Sequence, residues 1–372
     1  MPRDVRAGFA AWHMRTPFGA GPAELVRALR EGRAAPPRGL PAFPGQDLGD
    51  LTAAMDRADF TPSPGALRAA LADVARPAHA ALPAPDAWLV VGTSGIFFLG
   101  EYMGQGSERL GSCGDIACDR AQDLGLERAP LTLSTACSSS ANALLLAAQA
   151  IARGECPSAL VVGFEALSPI ALNGFRSLML LDPRGCRPFD RHRAGLHLGE
   201  GLAALSLQAS SPDFRGARAV ILGGAHVCAA MGPAGQAPDA DAMYAAMSEA
   251  LGAAQCEPRD IVAIKAHGLG STDSDEAEAV ALHRLYGALP SVTSLKGSFG
   301  HTLGASGALE TAAFLACLEA GFVPPAAGFE ATDPALSLVP LRAPLAARSG
   351  PYQLNFFGFG ASYVSLIVGF ES

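Results

Sequence analysis

Several features that mark other classes of protein are scarce or absent in this sequence. Charged residues make up 17% of the 372 residues and the net charge is −8, which disfavours nucleic acid as the main partner because neutralising phosphates requires a basic surface. The eight cysteines include no C-x-x-C pair, so neither a zinc site nor a disulfide framework is indicated. The motifs G-x-S-x-G, G-x-x-x-x-G-K-[ST] and G-x-G-x-x-G are missing as well, so hydrolase, NTPase and dinucleotide-binding functions lack their signatures.

Long apolar runs and targeting segments are also missing. The amino terminus has charges but no long apolar run behind them, and the longest near-helical apolar stretch, 141–152, is too short to span a bilayer. We therefore expect a cytoplasmic protein without a membrane span. Apolar residues form 49% of the chain and glycine occurs 42 times, which argues against disorder and indicates a large core.

Lysine is almost absent. Two of the 27 basic residues are lysine, Lys265 and Lys296, and the rest are arginine. Such a bias reflects codon composition, but a lysine retained against this background suggests a position that needs a compact ammonium, because the two side chains are not interchangeable.

Short apolar strands separated by helical stretches run through the chain after an amino-terminal region of loops and helical pieces. Helices are predicted at 23–33 and 64–75. Strands are predicted at 88–92, 131–135, 159–163, 202–207, 219–222, 261–264, 291–295, 353–357 and 363–368. In each half a strand leads to a candidate catalytic residue and then to an alanine- and leucine-rich helix. This pattern indicates α/β layers in two related halves, 1–210 and 211–372, and a doubly wound fold is the alternative.

Cys137 lies where the strand 131–135 meets the following helix. A thiol on the first turn of a helix faces unpaired N–H groups and the positive end of the helix dipole, which favour the reactive thiolate. The alternative is a buried structural cysteine followed by a run of capping serines.

Two histidines occupy comparable junctions in the second half. His267 follows the strand 261–264 and precedes two glycines, where a substrate can approach the backbone closely. His301 opens a glycine- and alanine-rich helix, whose dipole favours a neutral imidazole that offers an N–H donor. Lys296 precedes it and is placed to orient the site or to balance a carboxylate. The alternatives are a turn histidine for His267 and a surface lysine for Lys296.

Five segments in this order resemble the β-ketoacyl-acyl carrier protein synthases of the elongating Cys-His-His type. They are 135–139 around Cys137, Arg187-Pro-Phe-Asp with Arg193 and Gly199-Glu-Gly, His267-Gly with Asp275 and Glu278, Lys296 with His301 and Gly304-Ala-Ser-Gly, and Gly358-Phe-Gly. The resemblance covers nearly the whole chain. It implies a thiolase-like five-layer αβαβα sandwich of two similar halves, which is usually a dimer.

The resemblance also implies roles for individual residues. Cys137 is expected to take an acyl chain from a phosphopantetheine thioester, and the N–H groups of Cys137 and Phe357 are expected to hold the oxyanion. His267 and His301 would hydrogen-bond the malonyl thioester, so that decarboxylation gives an enolate beside the acyl-cysteine. Phe357 would also gate the acyl pocket.

Supporting residues and partners follow from the same resemblance. Lys296 and Glu278 would organise the site around the second histidine, with Asp275 in support. The substrates would arrive on an acyl carrier protein, with no bound cofactor and no metal. The implied enzyme is an acyltransferase of fatty acid, polyketide or polyene synthesis, working as a homodimer or as a heterodimer with a second ketosynthase-like subunit.

Some positions depart from the family pattern. Leu269 replaces a threonine hydroxyl that contacts pantetheine, while Ser271 retains a second hydroxyl. Lys265 stands where an acidic residue is common, and Ala194 where an aspartate is common. These departures indicate a specialised branch, and they keep open the alternative of a partner subunit, like a chain length factor, that serves a true ketosynthase.

Overall fold

The computed structural model describes residues 5–36, 52–53, 55, 64–82, 85–95, 111–211, 217–229 and 238–372. Its strands are β1 (Arg6–Thr16), β2 (Gly19–Ala20), β3 (Thr52–Ala53), β4 (Trp88–Gly92), β5 (Leu131–Leu133), β6 (Ser158–Glu165), β7 (Leu198–Gly199), β8 (Gly201–Ser210), β9 (Ala219–Cys228), β10 (Ala263–Lys265), β11 (Ser291–Thr293), β12 (Phe322–Val323), β13 (Leu345–Ala346), β14 (Gly350–Gly358) and β15 (Ser362–Phe370). Its α-helices are α1 (Ala23–Arg30), α2 (Pro64–His79), α3 (Cys113–Asp123), α4 (Ser139–Ala152), α5 (Pro169–Ser177), α6 (Ala240–Ala254), α7 (Thr272–Tyr286), α8 (Lys296–Phe299) and α9 (Ser306–Glu319). Turns of 3-10 helix lie at Ala136–Ser138, Pro258–Asp260 and Leu303–Ala305.

The strands form two sets with the same plan. In the main sheet the order is β11-β10-β14-β15-β9-β1-β8-β6-β4-β5. If the strands of each set are numbered along the chain, both sets have the order 3-2-4-5-1, with the same sequence of parallel and antiparallel pairs. Among the described strands, the two sets join through β1 and β9, where Ala7 faces Ile221 and Gly8 faces Val220. The repeat rules out the doubly wound alternative.

Helices α4 and α9 form the central layer. They pack against each other and against strands of both sets. Almost every residue of α4 is buried, as is all of α9 from Ser306 to Leu318, which is typical of a helix that is apolar on all sides. Helices α2 and α3 cover the first set of strands, and α6 packs against β9 and β15 with α7 beside it. The predicted five-layer thiolase-like sandwich is confirmed.

The largest error of the sequence prediction lies near the amino terminus. The region predicted as loops and helical pieces contains β1, an eleven-residue strand that pairs with both β8 and β9. Its alternation is broken by a register shift between Phe9 and Ala11, which removes the two-residue periodicity that identifies a strand. The helix predicted at 23–33 ends at Arg30. The division into 1–210 and 211–372 stays a prediction.

No helix in the described part of the chain combines the length and apolar character needed to cross a membrane.

Candidate active site

Cys137 sits in a strained turn between β5 and α4. The preceding residue, Ala136, has φ of +51°, a conformation that alanine rarely adopts and that its surroundings must hold in place. The second half of the chain has the same kind of turn before α9. There Leu303 has φ of +44°, and Gly304 takes the position that corresponds to Cys137. Both turns therefore lead directly into a central helix, α4 or α9.

The serine run after Cys137 ties the turn to its neighbours. Ser139 Oγ accepts the N–H of Thr135 at 2.9 Å, and Ser138 Oγ lies 2.7 Å from Ser362 Oγ on β15. Ser140 Oγ accepts the N–H of Ala308 at 2.9 Å and so joins α4 to α9. The serines thus hold the turn that carries Cys137 in place. Ser138, which stands at the start of α4, makes no side-chain capping bond to that helix.

The surroundings of the Cys137 thiol favour its neutral form. Burial raises its pKa to about 11, although the N–H of Phe359 and the Lys296 ammonium lower it. The expected stabilisation of the thiolate at the helix start is therefore outweighed, because loss of water around the sulfur has a larger effect on the pKa than the local dipoles.

His267 is held through its backbone and through its ring. Its main-chain N–H donates to Glu278 Oε1 at 2.8 Å, and its carbonyl accepts from Lys296 Nζ at 2.9 Å. Ring atom Nδ1 accepts the N–H of Phe357 at 3.2 Å, so the ring proton of the neutral form lies on Nε2. The side chain is therefore fixed as a donor.

His301 lies beside His267. The two ring centroids are 5.7 Å apart and the rings are nearly perpendicular. His301 Nδ1 lies 3.1 Å from Ser306 Oγ in the first turn of α9. Burial, followed by the charge of Lys296, holds the pKa of both histidines well below the usual value. The predicted neutral form of His301 agrees with this arrangement, although burial rather than the helix dipole is the main cause.

Lys296 is fully buried, which rules out the surface-lysine alternative. Its Nζ donates to the carbonyl of His267 and, at 2.7 Å, to Glu310 Oε1 in the middle of α9. The sequence prediction missed Glu310 and assigned Lys296 to the second histidine together with Glu278. Lys296 and Glu278 instead both hold the backbone of His267.

The remaining supporting residues order the chain around His267. Glu278 also accepts the N–H of Gly268 at 2.8 Å. Asp275 accepts the N–H groups of Leu269 and Phe189, at 2.8 and 2.7 Å, and burial raises the pKa of this carboxyl to about 7. The contact with Phe189 connects the loop 187–190 to the site.

Ser271 caps helix α7, with its hydroxyl accepting the N–H of Ser274 at 3.4 Å. Its predicted contact with pantetheine stays a prediction.

Phe357 does not have the position that the sequence prediction gave it. It lies inside β14, 4% exposed, and its N–H is used by the His267 ring. The N–H that contacts the Cys137 sulfur belongs to Phe359 in the following turn, and the ring of Phe359 is 52% exposed and packs edge-on against Phe175 at 5.8 Å. The candidate oxyanion donor and gating ring therefore belong to Phe359, because β14 ends at Gly358 and the turn that follows brings the Phe359 N–H to the Cys137 sulfur.

The segments that carry Cys137, His267 and His301 meet in one place. The Cys137 turn packs against the turn at Leu303–Ala305, directly after His301, and against β14, whose Phe357 holds His267. Apolar side chains, including Leu172, Leu198 and the partly buried Leu269, surround Cys137. Among the described residues, no group of three or more His, Cys, Asp or Glu side chains is arranged to hold a metal ion. The site thus brings together the Cys137 thiol, the neutral imidazoles of His267 and His301 as hydrogen-bond donors, and a wall of apolar side chains.

Two family models match the chain in succession. The β-ketoacyl synthase N-terminal domain matches residues 103–212, and the β-ketoacyl synthase C-terminal domain matches residues 218–330. Together they cover well over half of the chain.

Individual relatives agree with these models. The chain is 30% identical over 260 residues to the citrinin polyketide synthase of Monascus ruber, a match that covers 64% of this chain and 10% of that protein. It is 32% identical over 249 residues to nodulation protein E of Rhizobium leguminosarum bv. trifolii, covering 64% and 61% of the two chains. The structure of the ishigamide ketosynthase/chain length factor superposes with a TM-score of 0.82 at 26% identity, over 99% of this chain and 100% of that one.

The chain thus spans about a tenth of the length of its fungal relative. Cys137, His267 and His301 fall within the matched domains. The chain belongs to the β-ketoacyl synthase family.

Proposed function

We propose that this protein is a β-ketoacyl synthase that extends an acyl chain bound to Cys137 by decarboxylative condensation with a malonyl thioester. The observation that carries the proposal is the convergence of a buried thiol with two buried, neutral histidines, His267 and His301, whose ring planes are nearly perpendicular. One group accepts the acyl chain and the other two stabilise the charge that develops on the extender.

The first half-reaction loads the enzyme. The Cys137 sulfur attacks the carbonyl carbon of an acyl thioester, the carbon–sulfur bond to phosphopantetheine breaks, and the thiol proton goes to the departing pantetheine sulfur. The N–H groups of Cys137 and Phe359 are the donors for the transient oxyanion. Because the thiol has a pKa of about 11, the reaction needs proton transfer during the attack rather than a preformed thiolate.

The second half-reaction forms the carbon–carbon bond. The malonyl group loses carbon dioxide, and its electron pair becomes an enolate whose oxygen accepts hydrogen bonds from His267 and His301. The enolate carbon then attacks the acyl carbonyl on Cys137, and the carbon–sulfur bond breaks to release a β-ketoacyl thioester and the thiolate, which is reprotonated. Neutral donors suit this step, because they stabilise the enolate without pairing with the malonyl carboxylate.

The partners and setting belong to the proposal as well. Both acyl groups would arrive on the phosphopantetheine of an acyl carrier protein, and the protein would need no bound cofactor of its own. Fatty acid, polyketide and polyene synthesis all use this reaction. A dimer, of two copies or with a second ketosynthase-like subunit, and a cytoplasmic location complete the proposal.

A second candidate has a specific observation in its favour. The similar ishigamide structure is named for a ketosynthase and a chain length factor, so a heterodimer-dependent subunit is the alternative. The two functions differ in whether this chain, purified alone, takes up an acyl group.

Intact-mass measurement tests the proposal. The purified protein is incubated with acyl carrier proteins that carry chains of graded length, beside Cys137→Ala and, as a matched control, Cys186→Ala, which removes another buried thiol. We expect an acyl adduct on the wild type and on Cys186→Ala, and none on Cys137→Ala. Folded wild-type protein that takes up no chain would refute the proposal in favour of the heterodimer-dependent subunit.

A further inference from the structure

Both lysines of the sequence meet on one carboxylate. Lys265 Nζ and Lys296 Nζ each lie 2.7 Å from an oxygen of Glu310, on Oε2 and Oε1 respectively. All three side chains are fully buried. Both lysine ammonium groups of the chain, whose other basic residues are arginine, therefore lie in one desolvated cluster beside the candidate active site.

Lys265 is firmly fixed within this cluster. It ends β10, and its Nζ also donates to the carbonyl of Asn355 on the neighbouring strand β14 at 2.6 Å. The same Nζ lies 3.7 Å from the centroid of the Phe356 ring. A compact ammonium with three donors fits this pocket, whereas a planar guanidinium requires more room.

Two hydrogen-bonded routes connect Lys265 to His267. Through Glu310 it reaches Lys296, which donates to the His267 carbonyl. Through Asn355, whose amide donates to Glu278 Oε1 at 3.3 Å, it reaches the carboxylate that accepts the His267 N–H. Both backbone groups of His267 are thus held by residues that Lys265 orders.

We propose that Lys265 is a second positioning lysine of this site, which holds Glu310 and Asn355 in place and thereby fixes His267 for the decarboxylation step. The inference rests on the proposed function for the reaction that it serves, but the arrangement of charges can be tested without substrate.

The charges around Lys265 determine the direction in which its removal should shift the histidine pKa values. Lys265 faces Glu310 on α9, Lys296 on α8, Glu278 on α7, and the Phe356 ring and Asn355 carbonyl on β14. With both lysines charged and both glutamates ionised, this group is neutral. The Lys265 ammonium lowers the pKa of His267 and of His301. Removing it leaves the group with an excess negative charge, so protonation of both histidines becomes easier and their pKa values rise.

The experiment compares Lys265→Met with Lys296→Met in the full-length protein. Each variant removes one ammonium from the same carboxylate, but only Lys296 contacts His267 directly. Histidine labelled with 13C at Cε1 is titrated by NMR, and the rates of acyl loading and of malonyl decarboxylation are measured separately across pH. Denaturant unfolding of each variant corrects both rates for the folded fraction.

We expect Lys265→Met to raise the titration midpoints of His267 and His301 and to move the acid limb of decarboxylation to higher pH. Decarboxylation should fall on the order of 10- to 100-fold, the range for a displaced catalytic group, and acyl loading should fall less. Lys296→Met should show the larger loss. If Lys265→Met does not fold, Lys265→Gln, which keeps an N–H donor for Asn355, replaces it with the same expected titration shift.

Unchanged histidine midpoints, or two half-reactions that fall together in proportion to the folded fraction, would overturn the inference and leave Lys265 a merely structural residue. Wild-type protein that neither loads nor decarboxylates would refute the proposed function, while the NMR titration would still decide whether Lys265 acts on the histidines.

Discussion

The contact between the two central helices predicts a large effect for a very small substitution. Gly307 lies in the first turn of α9 against α4, where a Cβ atom would fall 2.5 Å from Ala141 Cα and 2.6 Å from the carbonyl carbon of Ser140, with the Ala141 nitrogen closer still. Ordinary contact for such atoms begins at 3.4 Å, so Gly307→Ala requires the backbones to separate by roughly 1 to 1.5 Å in an interior packed like a crystal.

The size of the effect follows from two opposing terms. Overpacking of a core costs about 1–3 kcal/mol, and contact with the backbone of α4 rather than with a movable side chain places this site at the upper end. Alanine in place of glycine in a helix returns about 1 kcal/mol. We therefore expect Gly307→Ala to lower the free energy of unfolding by about 2 kcal/mol. Because Ala141 follows Cys137 by one helical turn, activity should fall as well.

Denaturant unfolding measures this change, and Gly252→Ala is its matched control. Gly252 lies in helix α6, where a Cβ atom would have no neighbour within 4 Å. Its replacement by alanine should therefore raise the free energy of unfolding by about 0.4–1 kcal/mol. If Gly307→Ala is as stable as the wild type, α4 and α9 do not approach each other as closely as described, and the central layer of the fold is wrong in detail.

Two further predictions concern buried ionisable groups. Because the pKa of Cys137 is raised to about 11, its alkylation by iodoacetamide, followed by peptide mapping, should accelerate about tenfold per pH unit between pH 7 and 10; a plateau near neutral pH would contradict the burial argument. Glu310→Gln should lower the unfolding free energy by about 3–5 kcal/mol, because it removes the buried carboxylate to which both lysine ammonium groups are bonded. Glu165→Gln is the control: Glu165 is equally buried but binds backbone N–H groups, and burial raises its pKa to about 7, so the change should be much smaller. Equal losses for the two variants would refute the role given to the lysines.

The fold could be predicted from local patterns where strands and helices keep their periodicity. The central helices were recognised because strand, candidate catalytic residue and alanine-rich helix occur twice in the same order. Strand β1 was missed because its pairing with β8 and β9 depends on residues at least 187 positions away, and its bulge breaks the alternation. Tertiary pairing therefore decided the element for which local sequence was least informative.

Within the site, the sequence predicted which residues lie close together better than it predicted which atoms they contact. Cys137, His267, His301 and Lys296 lie together as expected. The partner of Lys296 was not foreseen, although a glutamate flanked by apolar residues in the middle of a helix, such as Glu310 in α9, signals a buried cation nearby. The oxyanion role predicted for Phe357 does not fit the structure, because the Phe357 N–H bonds to the His267 ring. The N–H that reaches Cys137 belongs to Phe359, which follows the end of β14 at Gly358.

The direction of the Cys137 pKa could not be predicted for a related reason. The helix start was visible in the sequence, but the depth of burial, which dominates the pKa, depends on packing from both halves of the chain.

The most direct test of the account is the discharge of preloaded enzyme. Acyl-Cys137 protein is prepared and freed from excess donor, and malonyl carrier protein labelled with 13C in the carboxylate is added to the wild type, to His267→Gln and to His301→Gln. Release of labelled carbon dioxide and formation of a β-ketoacyl product with two added carbons are followed together. The account predicts both in the wild type and a drop of about 10²–10³-fold in each variant, the effect of removing one donor to a developing oxyanion. Full activity in both histidine variants, or hydrolysis of the acyl group without carbon–carbon bond formation in the wild type, would contradict it.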